Sequence, residues 1–129
     1  VRHRNSLGVM TGTALALGAN AATVDFTQPF TPTYGTDARA IVNPGRMGLW
    51  SGNVARDNVL KYTGSGNDRD PILVAVGSAT PNNIISGYVQ SDITLDGQVK
   101  YTGIANDRDP IIVNIGGNTS NNTRTQQLP

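Results

Sequence analysis

An internal repeat of 39 residues constrains the fold of this chain more than any other feature of the sequence. Repeat 1 (residues 48–86) and repeat 2 (residues 87–125) align without gaps, and 17 aligned positions are identical. The best-matched segment reads KYTGSGNDRDPILVAVG in repeat 1 and KYTGIANDRDPIIVNIG in repeat 2. A match of this length indicates a duplicated structural unit. Because so short a unit buries little apolar area alone, we expect the copies to pack together, about a twofold axis or in a stack.

The repeat divides the chain into three regions, with an N-terminal region at residues 1–47, repeat 1 at 48–86, and repeat 2 with a C-terminal tail at 87–129. The first six residues alternate with a period of two, which favours an extended, strand-like segment. An unpaired strand would expose backbone hydrogen-bonding groups. We therefore expect this strand to pair, for example with a neighbouring subunit.

The composition favours strands and turns over helices. All nine acidic residues are Asp, Glu is absent, and Gly contributes 15 residues. Asp and Gly are turn residues, whereas Glu is a good helix former. We therefore expect a mainly β and irregular fold with short helices, in which an N-terminal strand region precedes two tandem repeats.

One short helix is expected in each repeat, where Asp-Pro precedes an apolar run. Asp70-Pro71 and Asp109-Pro110 fit a helix start, with Asp as the N-cap and Pro at the first helical position. Gly77 is placed to end the helix of repeat 1. The β-branched residues in both runs also permit a strand, so the sequence leaves that alternative open.

The charge and cysteine content exclude several classes of function. Ten basic and nine acidic residues give a net charge of +1, so no basic field is available to attract nucleic acid. The apolar runs are too short for membrane insertion. With no Cys and a single His, the chain cannot build a disulfide, a zinc-thiolate site or a multi-histidine metal site.

Repeat 2 contains the opening of an EF-hand-type calcium loop. Asp92, Thr94 and Asp96 occupy positions 1, 3 and 5, where alternate side chains direct oxygen atoms toward one point. Gly97 at position 6 permits the sharp turn, and Gln98 at position 7 offers its backbone carbonyl. The spacing therefore predicts a bound Ca²⁺.

The acidic residue expected at position 12 of this loop is missing, because Gly103 stands there. We predict that Asp107 or Asp109 closes the ligand shell instead. Carboxylates brought together repel one another and raise each other's pKa, and a divalent cation removes that repulsion. The alternative is that these residues only form turns and helix caps.

The corresponding loop of repeat 1 is degenerate. Ala55 has no ligand atom, and Asn58 replaces the turn glycine. The loop of repeat 1 therefore offers fewer ligands for a metal ion than the loop of repeat 2. The candidate ligands that remain are Asn53, Asp57, Asp68 and Asp70.

Two further chemistries are compatible with the sequence. Trp50 could stack on a sugar ring, although a place in the small core is the stronger expectation. The pairs Asp68/Asp70 and Asp107/Asp109 resemble the two carboxylates of a glycoside hydrolase. Because an enzyme does not need the same pair twice, we expect no catalytic activity.

The paired KYTG…NDRDP units and the ending NTR…QLP of residues 122–129 resemble the C-terminal region of large secreted bacterial surface proteins. Those regions carry haemagglutinin-like, dockerin-like or EF-hand-like tandem repeats, and the resemblance covers nearly the whole chain. It implies an extracellular or cell-surface, calcium-stabilised, non-catalytic module. The ligands implied by position are Asp92, Thr94, Asp96, Asp107 and Asp109, with a weaker set at Asn53, Asp57, Asp68 and Asp70.

These observations lead to one leading functional prediction and two alternatives. The leading prediction is a structural subunit that self-associates into a homo-oligomer or helical polymer, a surface filament, by exchange of the N-terminal strand. One alternative is a carbohydrate-binding or adhesin module, with Trp50 in contact with the glycan. The other is a dockerin-type module that docks onto a partner protein.

Overall fold

The computed structural model describes all residues, 1–129, and contains six short strands and two short helices. This confirms the prediction of a mainly β and irregular chain with short helices. Neither helix has the length and apolar character that crossing a membrane would require. The elements are β1 (Ala40–Asn43), β2 (Arg46–Gly48), β3 (Val59–Lys61), α1 (Arg69–Ala75), β4 (Ile84–Ser86), β5 (Gln98–Lys100), α2 (Asp109–Asn114) and β6 (Thr123–Thr125).

The strands form three separate two-stranded antiparallel sheets, and two of these sheets join the repeats to each other. β3 of repeat 1 pairs with β6, placing Leu60 opposite Arg124. β5 of repeat 2 pairs with β4, placing Val99 opposite Ile85. A shift of 39 residues along the sequence converts the β3–β6 pairing into the β5–β4 pairing, with the same register. The last strand of each repeat therefore pairs with the other repeat. Two units related by a twofold axis make reciprocal contacts of this kind.

One hydrophobic core serves both repeats. α1 contacts β5 and α2 contacts β3, so the helix of each repeat packs on the strand of the other. Eight of the nine buried core residues form four repeat-equivalent pairs, and the ninth, Leu7, comes from the N-terminal region. The four pairs are Val54 and Ile93, Leu60 and Val99, Ile72 and Ile111, and Val76 and Ile115.

The helices lie where the Asp-Pro signals placed them, but the N-cap residues are Asp68 and Arg108 rather than the predicted Asp70 and Asp109, and neither caps its helix with its side chain. The carbonyl oxygen of the Asn67 side chain accepts the backbone N–H of Asp70 at 3.0 Å, and the Asn67 amide donates to the Asp70 carboxylate at 2.8 Å. Asn106 and Asp109 repeat this arrangement. Asp70 and Asp109 lie inside the first turn, and the side chain that satisfies a backbone N–H there belongs to the Asn three residues earlier.

A glycine stands two residues after the end of each helix and stops it, as the sequence predicts. Gly77 has a φ of 108° and Gly116 a φ of 121°, both in a region that side chains with a Cβ rarely adopt. The N–H of Ser78 donates back to the carbonyl of Leu73 at 2.8 Å. This six-to-one hydrogen bond satisfies a carbonyl that the helix end would otherwise leave unpaired.

The N-terminal arm (residues 1–9) folds back on itself through a turn at residues 4–5, and it does not form the extended strand expected for residues 1–6. Val1 and Val9 exchange two backbone hydrogen bonds, of 2.6 and 2.9 Å. Ser6 forms an isolated antiparallel bridge with Ser51 at the start of repeat 1. The arm therefore finds its partner within its own chain.

The segment between the arm and β1 has no helix or strand. Arg39 organises part of it, because its guanidinium donates to the carbonyls of Phe26, Gln28 and Thr31 at 2.6 to 2.8 Å. Arg39 is itself 8% exposed. A buried arginine with several carbonyl acceptors fixes an irregular loop without a sheet.

Candidate functional site

The carboxylate of Asp107 organises the loop of repeat 2. It is fully buried, and its Oδ1 accepts the backbone N–H groups of Ile93 and Thr94 at 2.7 and 2.9 Å. The Thr94 hydroxyl also donates to Oδ1, at 3.1 Å, and the N–H of Lys100 donates to Oδ2 at 2.9 Å. Asp107 therefore ties the loop opening to β5 through both of its oxygens.

Asp68 has the same position in repeat 1 with fewer donors. Its Oδ1 accepts the N–H of Ala55 at 2.9 Å, and its Oδ2 accepts the N–H of Lys61 at 2.8 Å. Ala55 replaces Thr94, so the hydroxyl donor is missing. Burial is the largest effect on this carboxyl and raises the pKa of Asp68 to about 6.

Asp70 and Asp109, the second acidic residues of the NDRD segments, point away from these loops. The Asp109 side chain is 60% exposed, and its Oδ1 lies 3.7 Å from Nε of Arg108. Asp70 and Arg69 are arranged in the same way. Both carboxylates therefore belong to the helix start, and neither adjoins the oxygens of Asp107 or Asp68.

The carboxylate of Asp92 is paired with an arginine from the N-terminal arm. Nη2 of Arg4 donates to Oδ2 of Asp92 at 3.1 Å, and the N–H of Gly97 donates to the same oxygen at 3.2 Å. The guanidinium also stacks on the ring of Tyr88, with Cζ 3.5 Å from the centroid. Oδ1 of Asp92 is buried without a hydrogen-bond partner, and so is Oδ1 of Asn53, the equivalent residue in repeat 1.

The remaining predicted ligands are held by neighbouring groups. Asp96 accepts the Lys100 ammonium at 3.0 Å and the N–H of Gln98 at 2.8 Å. The hydrogen bond from Lys100 is the largest of the effects that lower the pKa of Asp96. Asp57 accepts the N–H of Val59 at 3.0 Å.

The predicted ligands therefore do not converge on one point. No group of three or more His, Cys, Asp or Glu residues is placed to hold a metal ion. The partnerless Oδ1 of Asp92 is the one feature that suits a cation, because a buried oxygen of this kind needs a positive partner. An ion there would require Thr94, Asp96 and Asp107 to exchange their present hydrogen bonds for metal bonds. Calcium binding stays a prediction.

Trp50 lies partly buried against the core, and one of its faces is occupied. The Arg124 guanidinium stacks on it, with Cζ 3.5 Å from the ring. The indole Nε1 donates to the carbonyl of Asp37 at 2.9 Å, and Asp37 in turn pairs with Arg124. A sugar stacking on this face would have to displace Arg124.

Sequence reasoning missed the two arginines that complete these sites. Arg4 lies outside the repeat, so the 39-residue offset carries no information about it. Arg124 did carry a signal, because its repeat-equivalent residue is the apolar Ile85. A change from an apolar residue to arginine between equivalent positions indicates that the arginine makes a contact which the other repeat lacks.

Comparisons with models of protein families, with curated proteins and with solved structures each found no match to this chain.

Proposed function

We propose that this protein is a non-catalytic extracellular structural module that joins copies of itself by exchange of its N-terminal arm. The observation that carries the proposal is the way the arm is held. All of its contacts with the repeats are made to residues far away in the sequence, on surfaces that a second copy also presents. Exchange of such an element between identical chains creates few new contacts and so costs little energy.

Backbone hydrogen bonds attach the arm to repeat 1. The carbonyl of Asn5 accepts the N–H groups of Gly52 and Asn53 at 2.7 and 2.9 Å, and the N–H of Leu7 donates to the carbonyl of Trp50 at 2.8 Å. These bonds flank the bridge between Ser6 and Ser51 on both sides. The arm thus adds a strand-like edge to repeat 1, in the manner of β-strand addition.

Side chains attach the same arm to repeat 2 and to the core. The Asn5 amide donates to the carbonyl of Asp92 at 2.7 Å, and Arg4 pairs with the Asp92 carboxylate. Leu7 and Val9 are 2% and 1% exposed, and Leu7 belongs to the shared core. An arm that leaves its own chain would expose these groups, so another copy's arm would bind in its place.

The connection between the arm and the repeats allows this exchange geometrically. Residues 12–23, which precede the loop that Arg39 holds, are exposed and contain no helix or strand, and Leu17 in this segment is 94% exposed. A connection without regular structure can adopt a second path at low cost. Each chain both donates and accepts an arm, so head-to-tail exchange adds one copy after another. The product is an open filament unless the last copy binds the first and forms a closed ring.

A designed disulfide tests the proposal, because the chain has no native Cys. Ser6 and Ser51 form a non-hydrogen-bonded antiparallel pair, whose Cα atoms lie about 4.5 Å apart, within the range that a disulfide bridges. We would oxidise the S6C/S51C variant at high protein concentration and separate it on a non-reducing gel. Arm exchange gives a ladder of covalent oligomers.

A matched control uses Ser86 and Gln98, an exposed pair between β4 and β5 that lies outside the arm and its connection. The S86C/Q98C variant should run as a monomer whether or not the arm is exchanged. A single monomer band for S6C/S51C, at concentrations where particle sizing shows oligomers, would refute arm exchange. Monomers by both methods would refute self-association itself.

Calcium stabilisation and a cell-surface location belong to the same proposal, supported by the resemblance of the repeats. The proposal of a calcium ion at repeat 2 is supported by Oδ1 of Asp92, which is buried without a hydrogen-bond partner. The N–H of Gly97, in the turn of the same loop, donates to the other oxygen of this carboxylate. At repeat 1, Asn53 replaces this carboxylate with a neutral amide, so we propose no ion there. A docking or glycan-binding role remains the alternative.

A further inference from the structure

A polar cleft lies between the N-terminal arm and the loop of repeat 1. It has a volume of about 330 Å³, and none of its eight lining residues is hydrophobic. Arg2, His3 and Arg4 line it from the arm, and Arg56 lines it from repeat 1. Small-molecule sites in proteins begin at about this size.

The cleft holds positive charge that the protein leaves without acidic partners. The structure has five ion pairs, and Arg2 and Arg56 take part in none of them. No acidic residue lines the cleft. Asp57, next to Arg56 in sequence, directs Oδ1 to the N–H of Val59 instead. A concave surface with uncompensated guanidinium groups attracts anions.

Two of the three arginines that line the cleft, Arg4 and Arg56, are held by neighbouring side chains. Arg56 has a φ of 60°, and its Nη2 donates to Oε1 of Gln90 at 2.6 Å. Arg4 is fixed between the Asp92 carboxylate and the Tyr88 ring. The left-handed backbone of Arg56 recurs at its repeat equivalent, Leu95, with a φ of 62°, so the shape of this loop in both repeats fixes where the Arg56 side chain starts.

From this geometry we infer that the cleft binds a small ligand through an oxyanion, that is a carboxylate, sulfate or phosphate group. Guanidinium groups bind planar or tetrahedral oxyanions with paired hydrogen bonds. Ser6, Asn58 and Gln126 complete the lining and offer neutral hydrogen-bonding groups beside the charges. Two kinds of ligand carry such an oxyanion, an acidic sugar and a free inorganic anion.

Titration of the ¹⁵N-labelled full chain with three probes at low ionic strength tests this inference and distinguishes the sources. The probes are glucuronate, inorganic sulfate and glucose. Glucuronate and glucose differ in a single carboxylate, so glucose reports any binding that does not need the anion. Saturable amide shifts at residues 2–6 and 53–58 are expected with glucuronate or sulfate but not with glucose. Tighter binding of glucuronate identifies an acidic sugar, and tighter binding of sulfate identifies an inorganic ion.

Charge-removal variants assign the binding to this cleft. R2Q and R56Q should each weaken binding about tenfold, the usual effect of losing one charged hydrogen-bond donor. R46Q is the matched control, because Arg46 is exposed, lies outside the cleft and takes part in no ion pair. Absence of saturable binding to both anions, or equal weakening in R46Q, would overturn the inference. Thermal unfolding of each variant shows that it is folded.

Discussion

Arg4 and Asp92 form an ion pair across 88 residues of sequence, with Nη2 and Oδ2 3.1 Å apart. The two side chains are 11% and 2% exposed, so water screens the pair little. The pair fastens the first residues of the chain to the loop of repeat 2. It also gives one oxygen of this buried carboxylate a positively charged partner.

The first prediction concerns the strength of this pair. R4M leaves the Asp92 carboxylate buried without its cation, and we expect it to lower the free energy of unfolding by about 3 kcal/mol. The R4M/D92N double variant should recover part of that loss, because it removes the unpaired charge as well. Urea denaturation of the wild type, both single variants and the double variant gives the coupling energy. K100M, which breaks the more exposed pair with Asp96, is the control and should cost less than about 1 kcal/mol.

The second prediction separates the two carboxylates of the NDRD segment. D107A removes the acceptor of three backbone N–H groups and of the Thr94 hydroxyl, and we expect a loss of about 3 kcal/mol or more. D109A alters an exposed side chain in the same segment, so its cost should be about 1 kcal/mol or less. Equal losses in thermal or urea unfolding would contradict the roles assigned here.

The third prediction concerns pH. Burial raises the pKa of Asp68 from 3.8 to about 6, so the folded state binds this proton more tightly than the unfolded state. The resulting stability is fully present below pH 4 and is lost as the pH rises through 6, by roughly 3 kcal/mol in total. We would measure unfolding free energies of the wild type and of D68N between pH 4 and 7 with chelator present. Their difference should change with pH in this direction, and parallel curves would contradict the shift.

The fourth prediction concerns calcium. A ligand that binds only the folded state raises stability with its concentration, by about 2.7 kcal/mol at a hundredfold excess over Kd. We expect millimolar Ca²⁺ to raise Tm and chelator to reverse the rise. D92N should abolish the response, whereas D57N, in the repeat 1 loop, should leave it intact. A Tm that neither calcium nor chelator changes would remove the ion from the proposed function and leave arm exchange untouched.

The sequence predicted features that local signals determine. The helices follow from Asp-Pro and from the glycines at positions 77 and 116, because capping and stop signals act within one turn. The duplicated core followed from the 39-residue offset, since equivalent apolar positions recur in both copies. The excess of turn residues predicted the irregular character of the chain.

Other features depend on contacts that no local pattern encodes. A strand of three residues such as β3 carries too little period-two signal to be found, and its partner β6 lies at the far end of the chain. The sequence predicts Asp107 as a metal ligand, but metal ions and backbone N–H groups both attract carboxylates. Only the fold shows that N–H groups of Thr94 and Lys100 reach its oxygens. Arg4 could not be found because nothing in its neighbours indicates Asp92 as a partner.

The pairing of β3 with β6 also sets an order of events during synthesis. When Val59–Lys61 leaves the ribosome, Thr123–Thr125 has not yet been translated, and the first half of the core has no second half to close against. The pairing of β3 therefore waits until Thr123–Thr125 has been synthesised and has left the ribosome. A truncated product would keep an open edge at β3, a feature that quality-control proteases and chaperones recognise.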